Sequence, residues 1–383
     1  MNKKAFQFVI FLGLISLFAD MTYEAARSIN GSFLQILGTN GTIVGIVAGL
    51  GELVGYGLRF FSGYLADRTR KYWTIVITGY VINLFSVPLL ALAGYWQLAV
   101  IFMIAERIGK ALRNPARDAL LSFGSQQMGR GWGYGLHEAM DQIGATLGPL
   151  LVSAVLFYKN QNYQIAYAML TIPAIIAIGI LLYCRFLYPH PENLEVKITK
   201  VETNGFGKRY WIYLLAVIFI AAGYVDFPII AYHFKLHSII TDSAIPLFYA
   251  VAMATDAVAA LIFGRLFDKI GVKTLFIAVC LSTFFAPMVF LGNTSIALAG
   301  MILWGIGMGA QESIMKAEIA NIIPTEKRGT AFGTFNAAYG LFWFGGSALI
   351  GYLYDISLVA LIAFSVITQI VAAIVIAVFV RKN

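Results

Sequence analysis

The chain has 383 residues, of which 60% are apolar and only 12% charged, and its formal net charge is +8. A soluble domain carries about 25% charged residues, so this composition cannot clothe a water-soluble fold. The positive balance reads as a membrane-topology signal, and no nucleic-acid partner is expected.

At about 20 residues per crossing, the apolar runs predict twelve transmembrane helices. In chain order they cover 6–33, 42–66, 73–93, 97–119, 131–157, 164–187, 209–234, 244–267, 273–292, 295–321, 329–353 and 356–380. The runs are continuously apolar rather than alternating, which argues for helices over a β-barrel. The first span lacks a small-residue cleavage site and reads as an uncleaved anchor. Polar residues from about Pro189 to Lys208 separate six spans from six. The expected organisation is therefore an N-terminal bundle over 1–188, a linker over 189–208 and a C-terminal bundle over 209–383. Of the 27 Lys and Arg residues, nineteen, Arg117 among them, fall on one side of the membrane. Only Lys159 and Lys235 fall on the other side. Cytoplasmic loops carry such an excess, so both termini are expected in the cytoplasm.

The spans themselves carry charge, and an ionisable group at membrane depth marks a functional site by default. The first places Asp20, Glu24 and Arg27 on one helical face. Glu24 and Arg27 are expected to pair, leaving Asp20 the freest to titrate. The second carries Glu52, Tyr56 and Arg59; the fourth carries Glu106, Lys110 and Arg113 in a stripe, with Arg107 one residue aside. The fifth carries His137, Glu138 and Asp141. The C-terminal half is sparser. Asp226 stands in the seventh span beside Pro228, which should break the helix, Asp256 in the eighth, and Glu312 in the tenth with Lys316 one turn on. Asp226 and Asp256 have no obvious local cation. They could couple protons, bind a cationic substrate, or hold a metal, for which Asp20, Asp226 and His233 are the alternative ligand set. Tyr56, Tyr224, Asn336, Tyr339 and Trp343 could line a cavity or simply pack. Cys184 and Cys280 form no metal-ligand pattern, and no cofactor is expected.

Two internal echoes point to duplication. Gly63-Tyr64-Leu65-Ala66-Asp67-Arg68 recurs as Gly264-Arg265-Leu266-Phe267-Asp268-Lys269, 201 residues later. Arg130-Gly131 opening the fifth span recurs as Arg328-Gly329 opening the eleventh, 198 residues later, which sets Gly148 opposite Gly346. Two like halves in a membrane suit a transporter of the rocking kind. Asp67 and Asp268 close their helices, and a carboxylate there can face the positive N-terminus of a neighbouring helix. The start of the eleventh helix is the expected partner of Asp67, and the start of the fifth that of Asp268, so each pair would latch the cytoplasmic side.

The Gly63–Lys71 segment, its second copy, and Gly144-Ala145-Thr146-Leu147-Gly148-Pro149 together resemble the major facilitator superfamily of secondary transporters, over essentially the whole chain. Arg70 replaces a preferred glycine that the second copy keeps as Gly271, and Ala111 and Arg113 replace glycines often found after the Arg107 position. The Asp141–Pro149 run resembles a bacterial permease subgroup. The resemblance implies an all-α membrane fold of two pseudo-symmetric six-helix bundles in the inner membrane, and the Gly144, Gly148, Pro149 motif is associated with antiporters and export.

The expectation is a proton-coupled secondary transporter of a small molecule or ion, working by alternating access as a monomer, with efflux favoured over uptake symport or divalent-metal export. Asp20, Glu24, Arg27, Arg107, Asp226 and Asp256 would face the cavity. A channel or receptor would leave the repeated loop motifs without a role. No His-Glu-x-x-His, Gly-x-Ser-x-Gly or phosphate-binding loop points to an enzyme or a built-in ATP motor.

Overall fold

The structure, a computed structural model, describes residues 3–125, 130–190, 207–322 and 328–381. They form fifteen α-helices and no strand. In chain order the N-terminal half holds α1 (Lys3–Ile36), α2 (Gly41–Thr69), α3 (Tyr72–Leu89), α4 (Trp96–Ser125), α5 (Arg130–Tyr158), α6 (Tyr163–Met169) and α7 (Thr171–Leu187). The C-terminal half holds α8 (Lys208–Gly223), α9 (Phe227–Leu236), α10 (Ala244–Ile270), α11 (Lys273–Ser282), α12 (Phe285–Leu291), α13 (Thr294–Ile322), α14 (Arg328–Ile356) and α15 (Leu358–Arg381). The pairs α6/α7, α8/α9 and α11/α12 are each one crossing interrupted by a break, which leaves the twelve expected segments. Ten of them are long and apolar enough to cross a membrane by composition alone. The other two are α4, diluted by its charges, and α14, rich in glycine and polar residues.

By their internal contacts the residues form two compact units. One comprises 1–29 and 54–199, the other 30–53 and 200–383. The division thus departs from the sequence halves at one place, where the end of α1 and the start of α2 belong with the C-terminal helices. The cause is close packing. Glycines at 41, 45 and 49 let α2 lie against α14 so tightly that a Cβ at Gly41 would stand 2.6 Å from the Tyr354 ring, and one at Gly49 2.9 Å from the Phe344 Cα. Most of the expected linker, residues 191–206, lies outside the described residues.

In the first unit, Phe8, Leu12 and Ile15 of α1 pack with Trp73, Val76 and Leu84 of α3, Leu120 of α4 and Leu181 of α7. Small residues set the helix spacing, as expected where lipid gives no hydrophobic drive for association. Gly79 and Gly109 bring α3 and α4 into backbone contact. On α5, Gly144 and Gly148 face the carbonyls of Leu17 and Met21 of α1. In the second unit Gly346 of α14 faces the Ala222 carbonyl of α8 in the same manner. Gly148 and Gly346 are thus equivalent in contact as well as in sequence.

The paired loop motifs share a backbone feature. The Gly271 N–H returns to the Phe267 carbonyl at 2.8 Å with φ +61°, ending α10 in the left-handed conformation. Its counterpart Arg70 does the same to Ala66, also at 2.8 Å, with φ +54°. Glycine enters that region at no steric cost, whereas other residues lose about 1–2 kcal/mol there. This gives a physical reason for glycine at that point of the motif. Of the expected latches, Asp268 is exposed in the last turn of α10. The side chains of Asp67, Arg130 and Arg328 lie outside the description.

Candidate functional site

Four helices of the first unit converge on a buried charge network. The α3–α4 crossing at Gly79 and Gly109 sets Tyr80 and Asn83 of α3 against Glu106 and Arg113 of α4. The α1–α5 crossing at Gly144 and Gly148 sets Asp141 of α5 close to Ser16 of α1, and Arg117 of α4 reaches both. The 3.6-residue period then places Asp20, Tyr23, Glu24 and Arg27 on one side of α1.

Arg113 is the centre of this network. Its side chain is 0% exposed. Its guanidinium carbon lies 4.3 Å from the centroid of Tyr80 and 5.6 Å from that of Tyr23. The Asp20 carboxylate stands 4.0 Å from Nη2. None of the three Arg113 nitrogens meets a hydrogen-bond acceptor among the described residues, and Asp20 Oδ1 meets no donor. The pair is a charge contact rather than a bidentate hydrogen-bonded bridge, which is the stronger form. Asp20 is therefore not the freest acid of α1. It faces the most deeply buried cation of the unit.

The neighbouring pairs are similarly loose. Glu24 lies 3.9 Å from Arg27 and 3.7 Å from Lys110, so one carboxylate serves two cations. The Lys110 ammonium also sits 3.8 Å from the Tyr23 ring centroid. Glu106 is held by Arg107 at 3.3 Å and by the Asn83 amide at 2.8 Å. At the far end of the network Asp141 lies 3.4 Å from His137 Nδ1 and 3.9 Å from Arg117. Arg117, counted from sequence among the charges of one membrane side, lies inside α4, which continues to Ser125. Its guanidinium donates to Asp118 at 2.8 Å and to Ser16 at 3.2 Å. Glu138 is exposed, and Arg59 stacks over Tyr56 at 4.7 Å. Glu52 is half-buried and belongs to the other unit.

Sequence reasoning named the charges and missed Tyr23, Tyr80, Asn83 and Ser16. Tyr23 had a legible signal, since it lies between Asp20 and Glu24 on a charged helix. Tyr80 and Asn83 had none, because their role depends on the α3–α4 crossing.

The second unit treats its acids differently. The expected break at Pro228 occurs, with α8 ending at Gly223 and α9 starting at Phe227. Asp226 caps the new helix, accepting from the Phe227 N–H at 2.9 Å, and its other oxygen accepts from Trp343 Nε1 at 3.3 Å. Carbonyls freed by the break also find donors. Ser365 donates to Gly223 and Trp304 to Val225. In lipid such groups must be satisfied internally. Asp226 is 1% exposed. Its partners include one helix amide and an indole, so it caps α9 and is not an acid without partners. Asp256 is buried where Gly305 and Gly309 of α13 press on α10. Glu312 is exposed on α13, and the Lys316 side chain lies outside the description.

Two of the three alternative metal ligands have hydrogen-bond partners within the second unit. Asp226 is engaged as above, His233 Nδ1 bonds the Tyr354 hydroxyl at 2.9 Å, and Asp20 belongs to the other unit. Among the described residues no group of three His, Cys, Asp or Glu side chains is placed to hold a metal ion. Tyr224 and Trp343, candidates for a cavity wall, pack inside the second unit. The Tyr224 hydroxyl donates to the Trp304 carbonyl, and the Tyr339 hydroxyl donates to Gln311 at 3.2 Å. Asn336 is half-buried.

The sequence profile of the Major Facilitator Superfamily matches residues 10–234 and 210–383. The chain belongs to the major facilitator superfamily. An uncharacterized protein of Mycobacterium tuberculosis is 38% identical over 375 residues, covering 96% of this chain and 91% of that protein. An uncharacterized MFS-type transporter of Methanocaldococcus jannaschii is 30% identical over 363 residues, covering 91% and 89%. A shorter stretch, 33% of this chain and 31% of the other, is 35% identical to the multidrug resistance protein MdtH of Proteus mirabilis. Among solved structures a point mutant of the nucleoside transporter NupG superposes with TM-score 0.80 at 12% identity, over 97% of this chain and 99% of that one. A bacterial homolog of the human lysosomal transporter Spinster does so with TM-score 0.73 at 14% identity, over 99% and 96%. At such identities the structures establish the superfamily fold alone. The protein is a multi-pass membrane protein of the superfamily's twelve-helix class.

Proposed function

We propose that this superfamily member is a proton-coupled secondary transporter that exports a small solute by antiport, with both termini in the cytoplasm of a bacterial inner membrane. The observation that carries the reading is the Asp20–Arg113 pair. A carboxylate and a guanidinium face each other at 4.0 Å in a buried site, with no hydrogen bond between them. Protonating Asp20 removes one charge from a low-dielectric site, where charge contacts are strong. The freed positive charge of Arg113 then falls on the neighbouring acids and shifts the network to a second arrangement. Glu24, shared by Arg27 and Lys110, is the next acid able to respond. A proton entering down its gradient supplies about 2.3 kcal/mol per 100 mV of membrane potential. Export draws support from the Gly144–Pro149 motif and from the partial likeness to proteins named for multidrug resistance. Asp67 and Asp268 complete the proposal as cytoplasmic latches.

The test is proton movement in proteoliposomes carrying an imposed pH gradient, read by a pH-sensitive dye during addition of cationic, neutral and anionic compounds. The wild type is expected to dissipate the gradient with its substrates, and Asp20→Asn to reduce that response at least tenfold. A variant that keeps the full response would remove Asp20 from the coupling site.

A further inference from the structure

The start of α2 and the end of α14 form a contact that the proposed coupling network does not use. Both segments lie in the second unit. Asp355, near the end of α14, turns its carboxylate onto the first turn of α2. Oδ1 accepts from the Gly41 N–H at 2.8 Å. Oδ2 accepts from the Thr42 N–H at 2.8 Å and from the Thr42 hydroxyl at 2.5 Å. These residues are more than 300 positions apart in sequence. The first amides of a helix lack intrahelical partners and carry the positive end of its dipole, so a carboxylate there is doubly favoured. Behind Asp355 the two helices meet through small residues. A Cβ at Gly45 would stand 2.8 Å from the Gly351 Cα, and one at Gly49 3.0 Å from the Ser347 Cβ.

Two properties set this contact apart from a permanent cap. First, Asp355 is exposed, whereas Asp226, which caps α9, is 1% exposed. Once parted from α2, the Asp355 carboxylate regains water, so opening leaves no buried charge behind. Second, at Gly45–Gly351 and Gly49–Ser347 the surfaces behind it are nearly flat. Glycine and serine faces separate without repacking, unlike interlocked side chains. The adjoining links are single hydrogen bonds: Tyr232 to the Thr39 carbonyl at 3.1 Å and Ser32 to the Ala231 carbonyl at 3.2 Å.

We infer that Asp355 and the first turn of α2 form a releasable clasp at the end of these helices opposite the Arg68–Lys71 loop, opened and remade in each transport cycle. The inference rests on the transporter reading, and its assignment to the outer face rests on the proposed orientation. The sequence places Asp67 at the other end of α2 and Arg328-Gly329 at the start of α14. The same helix pair thus carries an acid and a helix N-terminus at both ends, with the roles exchanged. Only one end need be closed at a time for the pair to act as a toggle.

The test uses the full chain with Cys184 and Cys280 replaced by alanine and one reporter, Ser347→Cys, which is 1% exposed beneath the clasp. A membrane-impermeant maleimide is applied to right-side-out and to inside-out vesicles. Asp355→Asn is expected to raise the labelling rate at least threefold from the outer face, and Thr42→Val to raise it less. An unchanged rate from both faces in both variants overturns the clasp. An increase seen only in inside-out vesicles keeps the clasp and reverses the orientation. Labelling needs no proton response, so failure of the coupling proposal leaves this result standing. Should Asp355→Asn not assemble, Thr42→Val and a Thr42→Cys/Asp355→Cys pair carry the test. The oxidised pair is expected to lose gradient-driven transport and regain it on reduction. Full transport by the crosslinked protein overturns the inference.

Discussion

Tyr23 of α1 and Tyr224, which directly follows α8, stand 201 residues apart, at equivalent points of the duplicated chain. Around Tyr23 the first unit builds charge: Lys110 lies over its ring and Arg113 beside it. Around Tyr224 the second unit builds aromatic packing, with Phe285, Trp304 and Trp343 at centroid distances of 5.0–6.0 Å. The backbone contacts beneath them are the same, Gly148 on Met21 and Gly346 on Ala222. Duplication preserved how the helices touch while the side chains diverged. One unit became a network whose energy depends on charge state, the other a capped and packed frame.

The strongest way to break this contrast is to remove Arg113. Arg113→Leu takes from Asp20 the guanidinium that faces it at 4.0 Å, and breaking a buried pair from one side costs about 3–5 kcal/mol. Thermal unfolding of the purified protein in detergent should show that loss. The double variant Arg113→Leu/Asp20→Asn should recover more than half of it, because neither charge then remains. A single variant costing under about 1 kcal/mol would mean that packing, not charge, holds the first unit.

The shared backbone contacts predict a smaller and symmetric effect. Gly148→Leu and Gly346→Leu each force a side chain against a facing carbonyl, and overpacking of this kind costs about 1–3 kcal/mol. Gly345, beside Gly346, has open space where its Cβ would be. Gly345→Leu should stay within about 0.5 kcal/mol of the wild type. Unequal losses at 148 and 346 would show that the two crossings are not equivalent.

The twelve segments were legible because continuous apolar runs and charged boundaries both report membrane crossing, and the break at Asp226-Phe227-Pro228 was legible because proline removes a donor and aspartate caps. The charges of α4 were legible singly but not their pairing. Arg107 stands one residue aside from its stripe yet meets the adjacent Glu106, and Asp20 meets Arg113 from another helix. The Asp20–Arg113 partnership depends on how α1 lies beside α4, which leaves no local pattern. The grouping of residues 30–53 with the C-terminal helices was equally hidden, because Gly41, Gly45 and Gly49 read as ordinary small residues until α14 lies against them.

The twin left-handed caps predict a gain rather than a loss. Arg70→Gly relieves a non-glycine residue at φ +54° and should stabilise the protein by about 1 kcal/mol, while Gly271→Arg, at φ +61° and ψ −144°, should cost at least that much. Opposite shifts in unfolding temperature would show that the two motif copies end their helices by one mechanism.

The smallest expected change divides the two units most sharply. Asparagine caps a helix about as well as aspartate, so Asp226→Asn should alter stability by less than about 0.5 kcal/mol, whereas Asp226→Ala should lose about 1 kcal/mol. The same Asp→Asn exchange at Asp20 removes the charge facing Arg113 and is expected to abolish the pH-gradient response. If Asp226→Asn also abolishes that response while leaving stability unchanged, then its charge matters beyond the cap. The frame and the network would then be parts of one titrating system rather than two.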